Sequence, residues 1–516
     1  MPLPRLILTG ASGFVGRHLL EALSDDYEII GIARETQARV GALEHPNVTW
    51  HLVDIGHRLP LSEVFRWVKE TGGAETVIHL AAHYDFTGDA DPEYYRTNVD
   101  GLRNVLSECR ALGTVKRFVF SSSVAACAFP KPGKALTEES PPDGDHIYAE
   151  TKRLGEAMLS QFADAFPSVI VRFAAMFSDW CEYPPLFMFL STWLSKAWNR
   201  NILGGRGVSA IPYLHVRDAV DFLRRVLDRQ ASLAPGAVLI ASPDGAVTHR
   251  ELYEVATLNQ FGARHRPVLM PKILCGPGMQ ARDLLGLLTG ERPFERPWMA
   301  RYIDQALTID ASRTRALLDW APRPRLEILR RMPFLIENLK TDPLEWNLKN
   351  RAAMKKVRIP SHLRLYRLLE AHEEEIVERY HADLVGPRGP VRFATYQKVS
   401  PEDHAWNHRV VLRHLMNAVR TRDKGVLVAY CRDLAERRQG QGFHSDELCA
   451  ALDLLSTVCF RVLRKDRETD GMRQEMLDLI AMPLRFGCDQ VQEVFEQRAA
   501  EAARPPSPGP PASAYL

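Results

Sequence analysis

The chain reads as α/β, a doubly wound parallel sheet with a small substrate lobe, followed by a separate all-α unit. Three observations predict this. Short, continuously apolar strands alternate with helical stretches over the first third of the chain, the pattern of a parallel sheet covered on both faces. A glycine-rich turn directly follows the first strand and opens a helix. Beyond about Leu339 the strand signal stops, and most segments carry apolar residues at helical spacing. The length, 516 residues, is itself too great for one core, since single cores stop growing at roughly 250–300 residues.

The strands are expected at Arg5–Thr9, Glu28–Ala33, Val48–Asp54, Thr76–Ala82, Arg117–Ser121 and Ser168–Phe173. Thr248 and Glu251 have the spacing of a capping box, which predicts a helix opening there. The stretch Asp310–Pro324 reads as a helix closed by prolines. Residues 341–360 are polar, basic and weakly periodic and read as a linker between a unit at 1–340 and a helical unit at 361–498. In the helical unit Leu448, Leu452, Leu455, Cys459 and Val462 share one face, and Trp406, Val410, Leu415, Met416 and Val419 form a looser stripe. Residues 499–516 are proline-rich and expected to be disordered.

Composition narrows the function. Charged residues make up 25% and hydrophobic ones 46%, which excludes a wholly disordered chain. Lys+Arg 66 against Asp+Glu 64 leaves +2, so no global basic field for nucleic acid exists. No apolar run reaches the ~18–20 residues of a transmembrane helix. The first residues pass straight into a strand pattern with no signal peptide in front. Eight cysteines form no CxxC pair, so they read as reduced thiols, no metal site is expected, and the expected location is cytoplasmic.

Gly10, Gly13 and Gly16 stand in a strand–turn–helix context. Gly10 permits the tight turn, Gly13 lets backbone approach a pyrophosphate, and Gly16 allows close helix–strand packing. Ser12, Phe14 and Val15 complete this turn, whose helix N-terminus attracts the anion. The second strand ends in Ala33 and Arg34. A carboxylate there would accept from a 2′-hydroxyl and an Arg would meet a 2′-phosphate, so NADP is preferred over NAD. Tyr148 and Lys152 lie four apart on one helix face. A cation beside the phenol would lower its pKa toward the range of general acid–base work.

Together these features resemble the extended branch of the short-chain dehydrogenase/reductase superfamily, the NAD-dependent epimerase/dehydratase family, with its Rossmann-like sheet. The motifs that carry the resemblance are Leu8–Gly16, Val53–Asp54–Ile55, His79–Leu80–Ala81–Ala82, Asn98–Gly101, Leu214–Asp218 and Leu318–Pro322, in that order. The resemblance implies that Asp54 and Ile55 touch the adenine, that Leu80, Ala81, Ala82 and Ser121 flank the cofactor, and that Lys152 also holds the nicotinamide ribose. Ser123, which ends a run of three serines, would orient the reacting oxygen, and Tyr148 would move its proton. Substrate-facing candidates are His83, Ala175, Trp180 and Phe187. A homodimer through helices near Tyr94–Leu112 and Tyr148–Phe166 is also implied.

Two departures bear on the substrate. Val124 and Ala125 stand where 4,6-dehydratases carry Asp and Glu, which argues against water elimination. Ala175 and Ala210–Pro212 stand where sugar-nucleotide epimerases carry phosphate anchors, unless Arg206 or Arg217 replaces them. The aromatic stretch Phe177–Trp198 suits an apolar substrate. Its alternatives are packing of the small lobe and a shallow membrane contact at Pro184–Trp198. The expected activity is therefore hydride transfer at an alcohol or ketone carbon of an apolar small molecule. Sugar epimerisation, and a redox sensor that binds NADP without turnover, are the alternatives.

The segment Leu368–Tyr380, with Gly442–Leu448, resembles the helical N-terminal domain of bacterial RsbR/RsbRD-type stress regulators. That implies a regulatory module with a protein partner. His404 and His408 are four apart, but without a second cluster they read as solvated or capping side chains.

Overall fold

The computed structural model describes residues 3–86, 89–289, 293–354, 361–386, 393–466, 469 and 471–502. The chain divides into two compact units, 1–357 and 358–516.

The first unit is built on a seven-stranded parallel sheet. Its strands are β1 (Arg5–Thr9), β2 (Glu28–Ala33), β3 (Val48–Leu52), β4 (Thr76–His79), β5 (Arg117–Ser123), β6 (Ser168–Phe173) and β7 (Ala237–Ala241). Their spatial order is β7-β6-β5-β4-β1-β2-β3, so strand order reverses between β1 and β4, where doubly wound sheets bind ligands. The alternation of β1 explains the two layers. Leu6 and Leu8 face one core, with Leu19 and Leu20 of α1 (Phe14–Leu23) and Phe222 and Leu223 of a later helix, Val216–Asp228. Ile7 faces the other, with Leu61 and Phe65 from Arg58–Glu70 and Leu102 and Leu106 from Leu102–Leu112. The helix that carries Tyr148 and Lys152, α2 (Ile147–Leu159), adds Met158 and Leu159 to that second layer. The seventh strand escaped the sequence reading because Ala237–Ala241 is short and sits among turn residues. The capping box at Thr248 forms with both of its hydrogen bonds.

The small lobe is closed by two further helices, α3 (Lys272–Thr289) and α4 (Pro343–Met354). The second corrects the linker expected at 341–360. Residues 343–354 are helical, Trp346 is 2% exposed, and it stacks on Phe187 at 6.4 Å between ring centroids. Buried Asn350 accepts from the Glu182 backbone N–H at 2.9 Å and donates to the Trp180 carbonyl at 2.8 Å. The weak periodicity misled because this helix docks through two side chains rather than a continuous stripe. Residues 355–360 lie outside the described set.

The second unit is all helical, with α5 (Ser361–Ala371), α6 (Glu373–Val385), α7 (Pro401–Thr421), α8 (Gly425–Gln439), α9 (Ser445–Leu463) and α10 (Met482–Ala502). The last helix runs past the expected boundary at 498, and the remainder of the tail, 503–516, lies outside the described residues. His404 and His408 are buried, not solvated. Their rings and that of His381 lie 5.3–5.7 Å apart between centroids. His404 Nε2 hydrogen-bonds the Tyr396 carbonyl at 2.7 Å, and burial pushes His408 down to about 3. The inward stripe of α7 is His404, His408, Val411, Leu412, Leu415 and Val419, whereas Trp406 points to solvent. Of the expected stripe, Leu415, Met416 and Val419 are in the core, whereas Trp406 and the half-buried Val410 lie off it.

If α4 belongs to the small lobe, Trp346→Ala removes a filled core position. Chemical denaturation should then show the N-terminal unit losing about 3–5 kcal/mol. A true linker would show no change.

Candidate active site

The turn after β1 is shaped by what cannot fit there. Gly10 has φ +74°, and a Cβ on it would lie 2.7 Å from the Ala81 backbone nitrogen at the end of β4. A Cβ on Gly16 would lie 2.4 Å from the Gly10 carbonyl oxygen. Both positions therefore exclude a side chain, on conformation and on packing. Gly13 caps α1, with its own N–H donating to Gly10 at 2.9 Å. The cradle faces the switch point, and its geometry fits a dinucleotide pyrophosphate at the α1 N-terminus. Ser12, Phe14 and Val15 lie in this turn and first helical residues, and Leu80, Ala81 and Ala82 pass beside it.

At the outer end of the cleft the charges form a chain. Arg34 pairs with Glu93 at 3.0 Å, Glu93 with Arg96 at 2.7 Å, and Arg96 with Asp54 at 2.9 Å. Burial raises Asp54, but hydrogen bonds from Arg96 and the Gly56 N–H outweigh it and hold the carboxyl below its usual range. Ile55 is buried beside Gly101, where a Cβ would meet its side chain at 2.8 Å. Arg34 is thus already engaged by a carboxylate.

The motif Tyr148, Lys152 and Ser123 comes together at the carboxyl ends of β5 and β4. The Ser123 hydroxyl accepts from the Ala125 N–H at 3.1 Å and acts to lower the pKa of the Tyr148 phenol. Lys152 Nζ donates to the Ser121 carbonyl at 2.7 Å and lies 5.6 Å from the Tyr148 ring centroid. This differs from the expected effect of the cation. Burial raises the Tyr148 phenol above its ordinary value, and the Ser123 hydrogen bond offsets only part of this. Burial also pushes Lys152 down to about 8, against the opposing field of Glu156.

A buried tie aligns these groups. Arg172 on β6 pairs with Glu156 on α2, Nε to Oε1 at 3.0 Å and Nη2 to Oε2 at 2.7 Å. Ser122 donates to Glu156 Oε1 at 2.5 Å. Glu156 is one turn beyond Lys152 and Ser122 directly precedes Ser123, so the ion pair ties the lysine's helix to β6 and the Ser122 hydrogen bond to the same carboxylate ties it to the serine's strand. Asn98, in the π-helical turn Arg96–Gly101, clamps the other side. It accepts from the His83 N–H at 2.6 Å, and donates to the His83 carbonyl and to Thr151 Oγ1, each at 3.0 Å. Such single-turn π-bulges recur at functional sites.

The substrate side departs from the sequence reading. Phe187 packs into the small-lobe core, and Trp180 lies half-buried against that core. Ala175 pairs with Tyr213 in a two-stranded ladder, and His83 lies edge-on to Tyr94 at 4.7 Å. The aromatic neighbours of Tyr148 come from elsewhere. Tyr84 stacks on it at 4.1 Å, and His146 lies parallel at 6.2 Å. Phe86 follows, 3.9 Å from Tyr84 and 5.8 Å from Tyr183, with the uncommon φ of +59°. Phe294 and Trp298 extend this wall, at 6.2 Å from Phe86 and His146 respectively. The available signal was the Tyr84–Asp85–Phe86 run just after the fourth strand. Of the two possible replacement anchors, Arg217 lies 3.8 Å from Asp179 and Arg206 3.6 Å from Asp304.

The model of the NAD dependent epimerase/dehydratase family matches residues 6–241. Among curated relatives, an undecaprenol-diphosphate-linked N-acetylglucosamine 4-epimerase of Escherichia coli O157:H7 is 30% identical over 34% of this chain and 49% of its own length. A uronate dehydrogenase of Pseudomonas syringae is 27% identical over 38% of this chain and 66% of its own. The chain thus spans about half to two thirds of the length of these relatives. A UDP-glucose 4-epimerase of Thermotoga maritima, solved with UDP-glucose, shares the fold with a TM-score of 0.50 at 19% identity, covering 65% of this chain and 98% of that one.

The environment of Lys152 sets a titration that can be observed. Its amine should titrate near pH 8, as read from lysine 13Cε shifts, because burial disfavours the cation. Between pH 8 and 10.5 the unfolded chain holds a proton that the native one does not, so this group makes native stability rise with pH across that window. An inflection at the ordinary 10.5 would contradict the buried placement.

Proposed function

We propose that the N-terminal unit is an NAD(P)-dependent oxidoreductase acting at a secondary alcohol or ketone carbon. The observation that carries this reading is the meeting of Ser123, Tyr148 and Lys152 at the switch point beside the Gly10 cradle. A bound nicotinamide would supply the hydride acceptor or donor. In the oxidising direction the Ser123 hydroxyl orients the substrate oxygen, and the Tyr148 oxygen takes its proton as the carbonyl forms. Lys152 favours the phenolate while it remains protonated. In the reducing direction the same phenol returns the proton. Gly10, Gly13 and Gly16 would hold the pyrophosphate, and Asp54 and Ile55 the adenine end. Arg34 favours a 2′-phosphorylated cofactor, on exchanging Glu93 for the phosphate.

The wall of Tyr84, Phe86, Tyr183 and Trp298 supports a substrate with an apolar or aromatic body. The named activities of the relatives favour a second reading, in which the reacting carbon belongs to a sugar and the hydride goes out and back as in a 4-epimerase. Both readings use the same proton path. The helical unit is read as a regulatory or interaction module, a role supported by its separate core.

One assay distinguishes the possibilities. The protein is given NADPH or NADH with ketones, and NAD+ or NADP+ with sugars, uronates and hydroxylated aromatics, while cofactor absorbance and product stereochemistry are followed. Tyr148→Phe should lower kcat by about 10²–10⁴-fold. Arg34→Ala should raise the KM for NADPH at least about tenfold, and that for NADH far less. Cofactor binding without turnover on any class, or turnover indifferent to Tyr148→Phe, would overturn the proposal.

A further inference from the structure

The helix α3 presents an apolar face that the described residues of its own unit leave exposed. Ile273, Leu274, Leu284, Leu285, Leu287 and Leu288 are between 56% and 82% exposed. Ile273, Pro277, Ala281, Leu284 and Leu288 follow at steps of three and four, so they lie along one side. The opposite side is held down by Cys275, which is fully buried, and by Lys272 Nζ on the Ile303 carbonyl at 2.7 Å. Aliphatic side chains this exposed and this aligned mark an interaction surface.

Its surroundings identify the occupant. The strand Val268–Met270, which leads into α3, carries exposed Val268 and Leu269 and pairs with Ile202–Gly204. Just before that partner strand stands Trp198, 81% exposed. Two cations border the strand that leads into the patch, exposed Arg264 and Arg266. The acids nearby are engaged, Asp283 with Arg296 at 2.7 Å and Glu295 with Arg282 at 3.5 Å. Among the described residues no carboxylate pairs with Arg264 or Arg266. An apolar helix face with an exposed tryptophan and a basic border is the composition of a helix lying in a bilayer interface. Among the described residues no helix is long and apolar enough to cross a membrane, so the fit is to a surface rather than a span. The segment after α3 carries Phe294 and Trp298, so this face is continuous in the chain with the aromatic wall of the site.

We propose that the exposed face of α3, with Trp198 and the Arg264–Arg266 border, docks the N-terminal unit on an anionic lipid surface. This moves the membrane contact from Pro184–Trp198 to α3. Residues Leu186, Phe187, Leu190 and Trp193 of the former segment are spent in the small-lobe core, and only its end, Trp198, stays with the patch. The inference stands on exposure and charge and is independent of turnover.

The test is co-sedimentation of the full-length protein with vesicles of phosphatidylcholine alone, or with 30 mol% phosphatidylglycerol (about one lipid in three). Binding to the anionic vesicles is expected, weakened by salt. Arg264→Gln with Arg266→Gln should weaken that binding about fivefold per residue and leave neutral vesicles unaffected. Leu284→Glu with Leu288→Glu should lose at least tenfold on both kinds. Because both leucines are exposed, the fold should stay intact, as circular dichroism would verify. No partition into either vesicle overturns the proposal, as does binding indifferent to the leucine changes. A dimer in light scattering that dissociates in the leucine variant, without vesicle binding, would assign the face to a second copy of the chain instead.

Discussion

The buried Arg172–Glu156 pair is the constraint on which the site depends. Both side chains are withdrawn from water, and such charges are tolerated only when paired and further hydrogen-bonded. Here the remaining valences are used. Arg172 Nη1 donates to the Ser140 carbonyl at 2.7 Å, and Glu156 accepts from Ser122. The bidentate geometry leaves little freedom for α2 to slide or rotate against β5 and β6. Tyr148 and Lys152 are on that helix and Ser123 is on that strand. Their relative placement follows from a pair in which neither member needs to touch a substrate.

A second set of polar ties fixes the small lobe to the same frame. Arg17 of α1 pairs with buried Glu182 at 2.9 Å, and Asp179 is held by Arg331 at 2.8 Å and by His215 at 3.3 Å. Cys181 and Glu182 both adopt positive φ, 76° and 54°, a conformation that non-glycine residues hold only when their surroundings over-determine it. The helix that carries the pyrophosphate cradle thus also anchors the loop leading into the small lobe. Cofactor end and substrate end share one rigid element.

What could be read from the chain and what could not divides along physical lines. Gly10, Gly16, Tyr148 and Lys152 were legible because steric exclusion and helical spacing are local properties, visible in a few consecutive letters. The expected strands also emerged close to their limits, since a fully buried parallel strand needs an unbroken apolar run. The aromatic wall was not legible. Tyr84 and Phe86 reach Tyr148 through a loop whose course is set by the Asn98 clamp, and nothing in their spacing announces it. Phe187 was drawn toward the pocket rather than the core because an aromatic run serves a core and a pocket equally well. Trp346 was missed for a related reason: burial of a single side chain leaves no periodic trace. Lys152 was legible as a residue but not as a charge, because the burial that depresses its pKa exists only in the fold.

The central claim, that the buried Arg172–Glu156 pair, with Ser122 bonded to the same carboxylate, holds the lysine's helix against β5 and β6, is tested most directly by a double-mutant cycle on Glu156→Met and Arg172→Met. Stability of the N-terminal unit would be measured by denaturant titration. Each single change leaves an uncompensated buried charge and should cost about 3–5 kcal/mol. The double change should cost far less than the sum, since it removes both charges together. Losses that simply add would contradict the account.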